Sequence, residues 1–95
     1  MKKLILLSAL ILLGCATETK YRTKLNTWIQ SSKTDLVSHW GVPDKTYKPD
    51  KETELLAYKR SRKINKVKFW CTTTFILKNN VVDSWKTEGN DCTAY

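Results

Sequence analysis

Glycine and histidine are scarce in this chain of 95 residues, and their scarcity limits the chemistry it can support. Only two of the three glycines, Gly41 and Gly89, lie beyond the first 14 residues, so no glycine-rich loop is available to cradle a phosphate. The single histidine, His39, has no serine or cysteine at a spacing typical of nucleophilic catalysis. It is interpreted as a helix-end residue. Acidic residues are scattered, so we expect no enzyme, metal site or cofactor.

The chain also lacks an apolar run long enough to cross a bilayer as a helix, which takes about 20 residues. Its longest run, Leu4 to Leu13, has ten residues, follows Lys2 and Lys3 and is typical of a secretory signal. The run ends in Leu12-Leu13-Gly14-Cys15, which resembles the lipobox of bacterial prolipoproteins. This resemblance implies cleavage after residue 14 and acyl chains on the cysteine. An ordinary signal peptide and a buried helix ending in cysteine are the alternatives.

The residue after this cysteine favours one location. An aspartate directly after the cysteine would resemble the inner-membrane retention signal of enteric-type sorting. This chain has Ala16 at that position, which favours the outer membrane. We therefore expect residues 1–14 to be removed and Cys15 to anchor the mature chain at the periplasmic face of the outer membrane. The mature chain would have 81 residues and a net charge of +6, because two of the 17 basic residues leave with the signal and 9 acidic ones remain. Nucleic acid is not an expected partner there.

Two cysteines remain for a disulfide bond. A domain this small buries only about 60% of its unfolded surface, so covalent reinforcement is expected. We predict that Cys71 and Cys92 pair in the oxidising compartment. The closed loop of roughly twenty residues would contribute about 3 kcal/mol in the chain-entropy model. Two separate buried thiols are the alternative.

The spacing of apolar residues predicts one α+β domain over residues 23–95, preceded by a lipidated N-terminus and tether at 15–22. Leu25, Trp28 and Ile29 recur at helical spacing and predict a first helix around 21–30. Ser32 as an N-cap and Gly41 after the C-terminus bound a second helix. We expect both helices to lie on one face of a three-stranded antiparallel meander. The remaining predicted elements are the helix 33–40 and strands 54–59, 67–78 and 81–88.

Two registers are open for the hairpin at Asn79-Asn80. A two-residue turn would place Trp85 on the face of Trp70, opposite the apolar residues of the strand 67–78. A three-residue bulged turn would instead place Trp85 opposite Phe75 in the core. Because one residue of register reverses the facing of a strand, the two differ completely. We favour the core placement, since it buries the indole ring.

A basic segment is the strongest charge feature, with six cations in ten residues. One interpretation is a binding site for an anionic partner: phospholipid or lipopolysaccharide head groups, peptidoglycan carboxylates or an acidic protein. The other is a solvated loop whose lysines protect a sheet edge from pairing. Trp70 lies next to this segment and either marks a binding surface or is covered by the tether or a lysine stem. The candidate binding residues are Lys59, Arg60, Arg62, Lys63, Lys66, Lys68 and Trp70.

Several motifs resemble known lipoproteins. Trp28, Ser32 to Leu36 and Trp40-Gly41-Val42-Pro43 are similar to the helix signature of the SmpA/OmlA family. The second half, with Cys71-Thr72-Thr73-Thr74-Phe75 and the stretch from Trp85 to Cys92, resembles a group of small lipoproteins of the same layout. The resemblance implies an α-α-β-β-β fold on the periplasmic face of the outer membrane. It also implies a role beside the outer-membrane β-barrel assembly machine.

These observations predict a non-enzymatic lipoprotein that binds a protein or envelope component in outer-membrane assembly or integrity. An immunity, exclusion or inhibitor lipoprotein is the alternative. Inhibition of lysozyme is disfavoured because lysozymes are often basic, and a chain of net charge +6 would be repelled.

Overall fold

In a computed structural model that describes residues 16–93, the chain forms two helices and a four-stranded antiparallel sheet with the order β1-β2-β3-β4. The α+β class is confirmed, and the prediction of three strands is wrong. The predicted signal, residues 1–14, and the predicted lipidation site Cys15 lie outside the described residues. The elements are α1 (Ala16–Asn26), α2 (Lys33–Trp40), β1 (Lys45–Tyr47), β2 (Thr53–Ile64), β3 (Val67–Lys78) and β4 (Val81–Gly89).

The strand missed by the sequence is β1, in which all three residues are exposed. Three exposed residues show no alternation of apolar and polar side chains, so the sequence gives no sign of this strand. It is defined by its pairing with β2, in which Thr46 lies opposite Leu56. Asp50 holds the turn that follows, because its carboxylate accepts the backbone N–H groups of Glu52 (2.8 Å) and Thr53 (2.7 Å). These hydrogen bonds to the charged form lower the pKa of Asp50.

The first helix lies earlier than the predicted 21–30, and residues 16–22, predicted as a tether, are helical. Tyr21 and Leu25, four residues apart on one face of α1, are buried against the sheet. Trp28 and Ile29 lie instead in the turn after α1. Gln30, the last residue of this turn, has a positive φ of 76°. Their helical spacing continued past the helix end, so apolar spacing alone placed the helix too late.

The second helix has the predicted bounds, 33–40. The Ser32 side chain accepts the N–H of Asp35 at 3.1 Å and caps the N-terminus. After the last turn, Gly41 has a φ of 86° and donates its N–H to the carbonyl of Val37. Leu36 on this helix is fully buried and faces the sheet with Tyr21 and Leu25 of α1.

The β3–β4 hairpin combines features of both predicted registers. Asn79 and Asn80 have φ values of 53° and 64°, which is typical of a two-residue type I′ turn. The register then shifts by one residue between Leu77 and Ile76, because Asp83 forms a bulge. Trp85 consequently lies opposite Phe75 and packs against the core, as predicted, although the expected three-residue turn is wrong.

The core lies between the two helices and one face of the sheet. Phe75 at its centre is fully buried, with Trp40 of α2 edge-on at a ring-centroid distance of 5.0 Å. The predicted disulfide between Cys71 and Cys92 is confirmed and joins this core to the segment after β4. The buried apolar residues are Tyr21, Leu25, Leu36, Leu56, Tyr58, Cys71, Phe75, Leu77 and Val82.

Candidate binding surfaces

The six predicted cations do not form one surface, because side chains alternate between the two faces along β2 and β3. Arg60 and Arg62 follow the buried Tyr58 at two-residue intervals and lie on the helix side of the sheet. Lys59 lies on the opposite face of the sheet, away from the helices. Lys63 lies on that face too, directly opposite Lys68 of β3. The sixth cation, Lys66, lies in the turn between the two strands.

Both arginines bind the C-terminal segment, defined here as residues 90–93. Arg60 donates from Nη2 to the carbonyl oxygens of Asp91 (3.2 Å) and Thr93 (2.9 Å), and its guanidinium lies over the Tyr21 ring. Arg62 donates from Nε to the Asp91 carboxylate at 3.1 Å. The two guanidinium groups are thus engaged with the protein itself.

The C-terminal segment continues the sheet beside the start of β3. Asn90 accepts the backbone N–H of Trp70 at 2.8 Å and donates to the carbonyl of Lys68 at 3.1 Å. The backbone N–H of Asp91 donates to the Trp70 carbonyl at 3.0 Å. Gly89 permits this approach, because it has a φ of 140° and a Cβ there would collide with the Trp70 carbonyl oxygen.

Replacing Gly89 by alanine is therefore expected to destabilise the fold by about 2–4 kcal/mol, combining backbone strain with a steric clash. Urea denaturation followed by tryptophan fluorescence measures this loss. The matched control is Gly41→Ala, where φ is also positive, at 86°, but a Cβ would meet no atom within 4 Å. If both variants lose the same stability, the close approach to Trp70 contributes nothing.

The open sheet face, defined as the side of the sheet turned away from both helices, has an apolar centre. Leu55 and Ile76 lie directly opposite each other and are half-buried. Tyr47 on β1 pairs with Leu55 and is 57% exposed. Because the helices pack on the other side, no element between residues 16 and 93 covers this face. Six lysines share it, together with Glu88: Lys45, Lys59, Lys63, Lys68, Lys78 and Lys86.

Trp70 lies on this open face, as predicted, and a lysine partly covers it. The Nζ atom of Lys59 lies 5.8 Å from the centroid of the indole ring, within the range of a cation–π interaction. A partner that approached Trp70 would therefore meet an aromatic surface and a positive charge together.

The turn of the β2–β3 hairpin is the second exposed cationic site. Residues 61–68 are all exposed, and a shallow cleft of about 620 Å³ opens between Arg62, Lys63, Lys66 and Lys68. At the end of the hairpin, the paired Ile64 and Val67 are 48% and 52% exposed.

A cavity of about 380 Å³ lies between the helices, and His39, the single histidine of the chain, is among its lining residues. His39 lies in the last turn of α2, and its ring contacts Trp28 at a centroid distance of 4.9 Å. No carboxylate or cysteine lines this cavity. Aromatic rings and hydrogen-bond donors line the cavity.

The chain matches no family model, no curated protein and no solved structure. The SmpA/OmlA resemblance therefore rests on the residues quoted for it and remains a prediction.

Residues 16–93 contain no cluster of three histidine, cysteine or acidic side chains arranged to hold a metal ion. Within that same stretch, no helix is long and apolar enough to cross a membrane.

Burial, with a smaller effect of the Asp44 charge, raises the pKa of Tyr58, whose hydroxyl donates to the Gly41 carbonyl. That hydrogen bond supports the end of α2.

The sequence did not identify Leu55, Ile76 and Tyr47 as surface candidates. Alternation along the strands, which placed Trp70 on the open face, could also have placed Ile76 there. Tyr47 gave no such signal, because its strand is defined only by pairing with β2.

Proposed function

We propose that this chain is a non-enzymatic lipoprotein of the periplasmic face of the outer membrane, anchored through acyl chains on Cys15. It binds a protein or envelope component and serves outer-membrane assembly or integrity. The observation that carries the binding proposal is the open sheet face, where an apolar centre is surrounded by lysines and left uncovered by both helices.

The chemistry of this face defines the surface that fits it. Leu55, Ile76 and the Trp70 ring offer apolar contacts at the centre, and tryptophan is enriched among residues that contribute most to binding. The surrounding lysines favour acidic groups at the rim, which speed association and select the partner. A protein surface with an apolar centre and an acidic border is complementary to both. The SmpA/OmlA resemblance makes subunits of the barrel-assembly machine the first partners to test.

Photocrosslinking in cells of the source bacterium tests this proposal. A photoreactive residue at Trp70 or Ile76 is expected to capture a barrel-assembly subunit or another envelope protein. The matched control is a photoreactive residue at Ser38, which is exposed on α2 and faces away from the sheet. Equal capture from Ser38 and Ile76, or none from either open-face position, would refute binding through this face. Capture of peptidoglycan alone would support an envelope component as the partner and exclude the assembly role.

A further inference from the structure

The β2–β3 hairpin extends beyond the rest of the sheet as a two-stranded ribbon. On one side, β1 pairs only with residues 55–57 of β2, and on the other, β4 ends at Gly89 opposite Cys71. The pairing of β2 with β3 continues to Ile64 and Val67. From Cys71 to Val67 β3 extends by four residues, or about 13 Å. The C-terminal segment flanks it as far as Trp70 and the Lys68 carbonyl, and beyond that point the hairpin is two-stranded.

The tip of this ribbon, defined as residues 63–68, combines three lysines with an exposed apolar pair. Ile64 and Val67 present a half-exposed apolar pair on one side. Lys63 and Lys68 lie directly opposite each other on the other side, and like charges in that position repel. Lys66 has a φ of 69° in the turn, where glycine is usually favoured. Each choice disfavours the isolated tip, and all of them suit an anionic interface with an apolar interior.

The first helix indicates which way this tip points. Its contacts, taken from its C-terminal to its N-terminal end, are Asn26 with Trp85, Tyr21 with Thr73, and Glu18 beside Gly89. In the sheet, these partners lie level with residues 75, 73 and 71 of β3 in turn. The N-terminus of α1 therefore points toward the end of the sheet that carries the tip. In the sequence, Cys15 directly precedes the first residue of α1.

We propose that the tip of the β2–β3 hairpin inserts into the surface of an anionic phospholipid bilayer, the one that the acyl chains of Cys15 enter. Ile64 and Val67 reach the boundary between head groups and acyl chains, where apolar side chains of peripheral proteins are buried by roughly 5–10 Å. The three lysines of the tip bind phosphate groups at the head-group level, with their stems in contact with the apolar layer. This inference rests on the proposed lipid anchor, which holds the tip close to the membrane.

A bilayer fits the tip better than a folded protein does. The charge is carried by flexible lysines on a narrow ribbon, which matches a dense layer of phosphates without requiring a shaped partner. Arg62, the residue here with a planar guanidinium suited to specific pairing, is engaged with Asp91. With the anchor and the tip both at the membrane, the domain would stand on one end and leave the open sheet face accessible from the side.

The test uses the mature lipidated chain in vesicles, with a photoreactive residue replacing Val67. One set of vesicles contains phosphatidylcholine alone and the other contains phosphatidylcholine with phosphatidylserine. We expect crosslinks to lipid in the anionic vesicles, fewer in the neutral ones, and few from a photoreactive residue at Val42, an apolar position 86% exposed elsewhere. Lys63→Glu with Lys68→Glu is expected to reduce lipid capture roughly tenfold, because the charge of the tip is reversed.

The matched control for charge is Lys45→Glu with Lys86→Glu, which makes the same change in the part of the open sheet face away from the tip and should leave capture at Val67 nearly unchanged. An equal reduction in both double variants would refute a specific tip contact. If the chain stays on the vesicles but Val67 captures no lipid, the tip inference fails and the anchor stands. If the lipidated chain leaves the vesicles, the anchor itself fails. Capture of a protein instead of lipid from Val67 in cells would also overturn the inference.

Discussion

Cys15→Ser is expected to release the protein from the membrane fraction, because a serine hydroxyl cannot take the place of the thiol that we propose carries the lipid. Each buried methylene of an acyl chain contributes ~0.8 kcal/mol, so the loss of the proposed acyl chains removes far more binding than any surface contact supplies. Residues 16–93 offer no helix that could span a membrane in its place. Cell fractionation and incorporation of labelled palmitate measure the two consequences, and we expect both membrane association and label to disappear.

Ala16→Asp is the control for this experiment. It keeps the cysteine, so the palmitate label should persist, and in a bacterium with enteric-type sorting the protein should move to the inner membrane. A Cys15→Ser protein that stays with the outer membrane after a high-salt wash would contradict the lipid anchor. Salt matters here, because it screens the lysines of the hairpin tip and removes an electrostatic contribution to the result.

The parts of the fold that were predictable are those set by local chemistry. The second helix has an N-cap at Ser32 and ends at Gly41, which has a positive φ, and both act within one turn of the helix. The long strand β3 alternates over twelve residues, so its faces followed from its own sequence. The disulfide followed from the count of cysteines and the expected compartment.

The parts that were missed depend on distant partners. The packing of α1 on the sheet depends on Tyr21, whose hydroxyl bonds Thr73, 52 residues away. The bulge at Asp83 arises because the two-residue turn and the burial of Trp85 cannot both be satisfied in a regular register. Neither the partner nor the bulge leaves a mark in the local sequence.

The basic segment shows the same division at the candidate site. As a linear run, its six cations looked equivalent, and alternation could have separated Arg60 and Arg62 from Lys59 and Lys63. The binding of those arginines to Asp91 could not have been inferred, because it needs the chain to return beside β3 after 29 further residues. The outcome is a hairpin whose base is tied to the C-terminal segment while its tip carries lysines.

Loss of the Cys71–Cys92 disulfide is expected to lower the stability of the fold strongly. The bond closes a loop with a sequence separation of 21 residues. In the chain-entropy model such a loop contributes about 3 kcal/mol, a large part of the 5–15 kcal/mol that stabilises a typical domain. It also holds the segment that accepts hydrogen bonds from Arg60 and Arg62. We therefore expect Cys71→Ala with Cys92→Ala to lower the urea midpoint and free residues 90–93.

Reduction of the wild-type protein is the matched control, since it breaks the same bond and leaves every side chain in place. Hydrogen exchange adds a local measurement, because the Asp91 N–H bonded to the Trp70 carbonyl should exchange faster without the disulfide. The amides paired between β2 and β3 near Phe75 should also lose protection from exchange on reduction. For these amides the loss of protection should equal the loss of global stability and no more. If reduction leaves both the midpoint and Asp91 exchange unchanged, hydrogen bonds and the arginine contacts suffice to hold the C-terminal segment, and the base of the hairpin does not depend on the covalent bond.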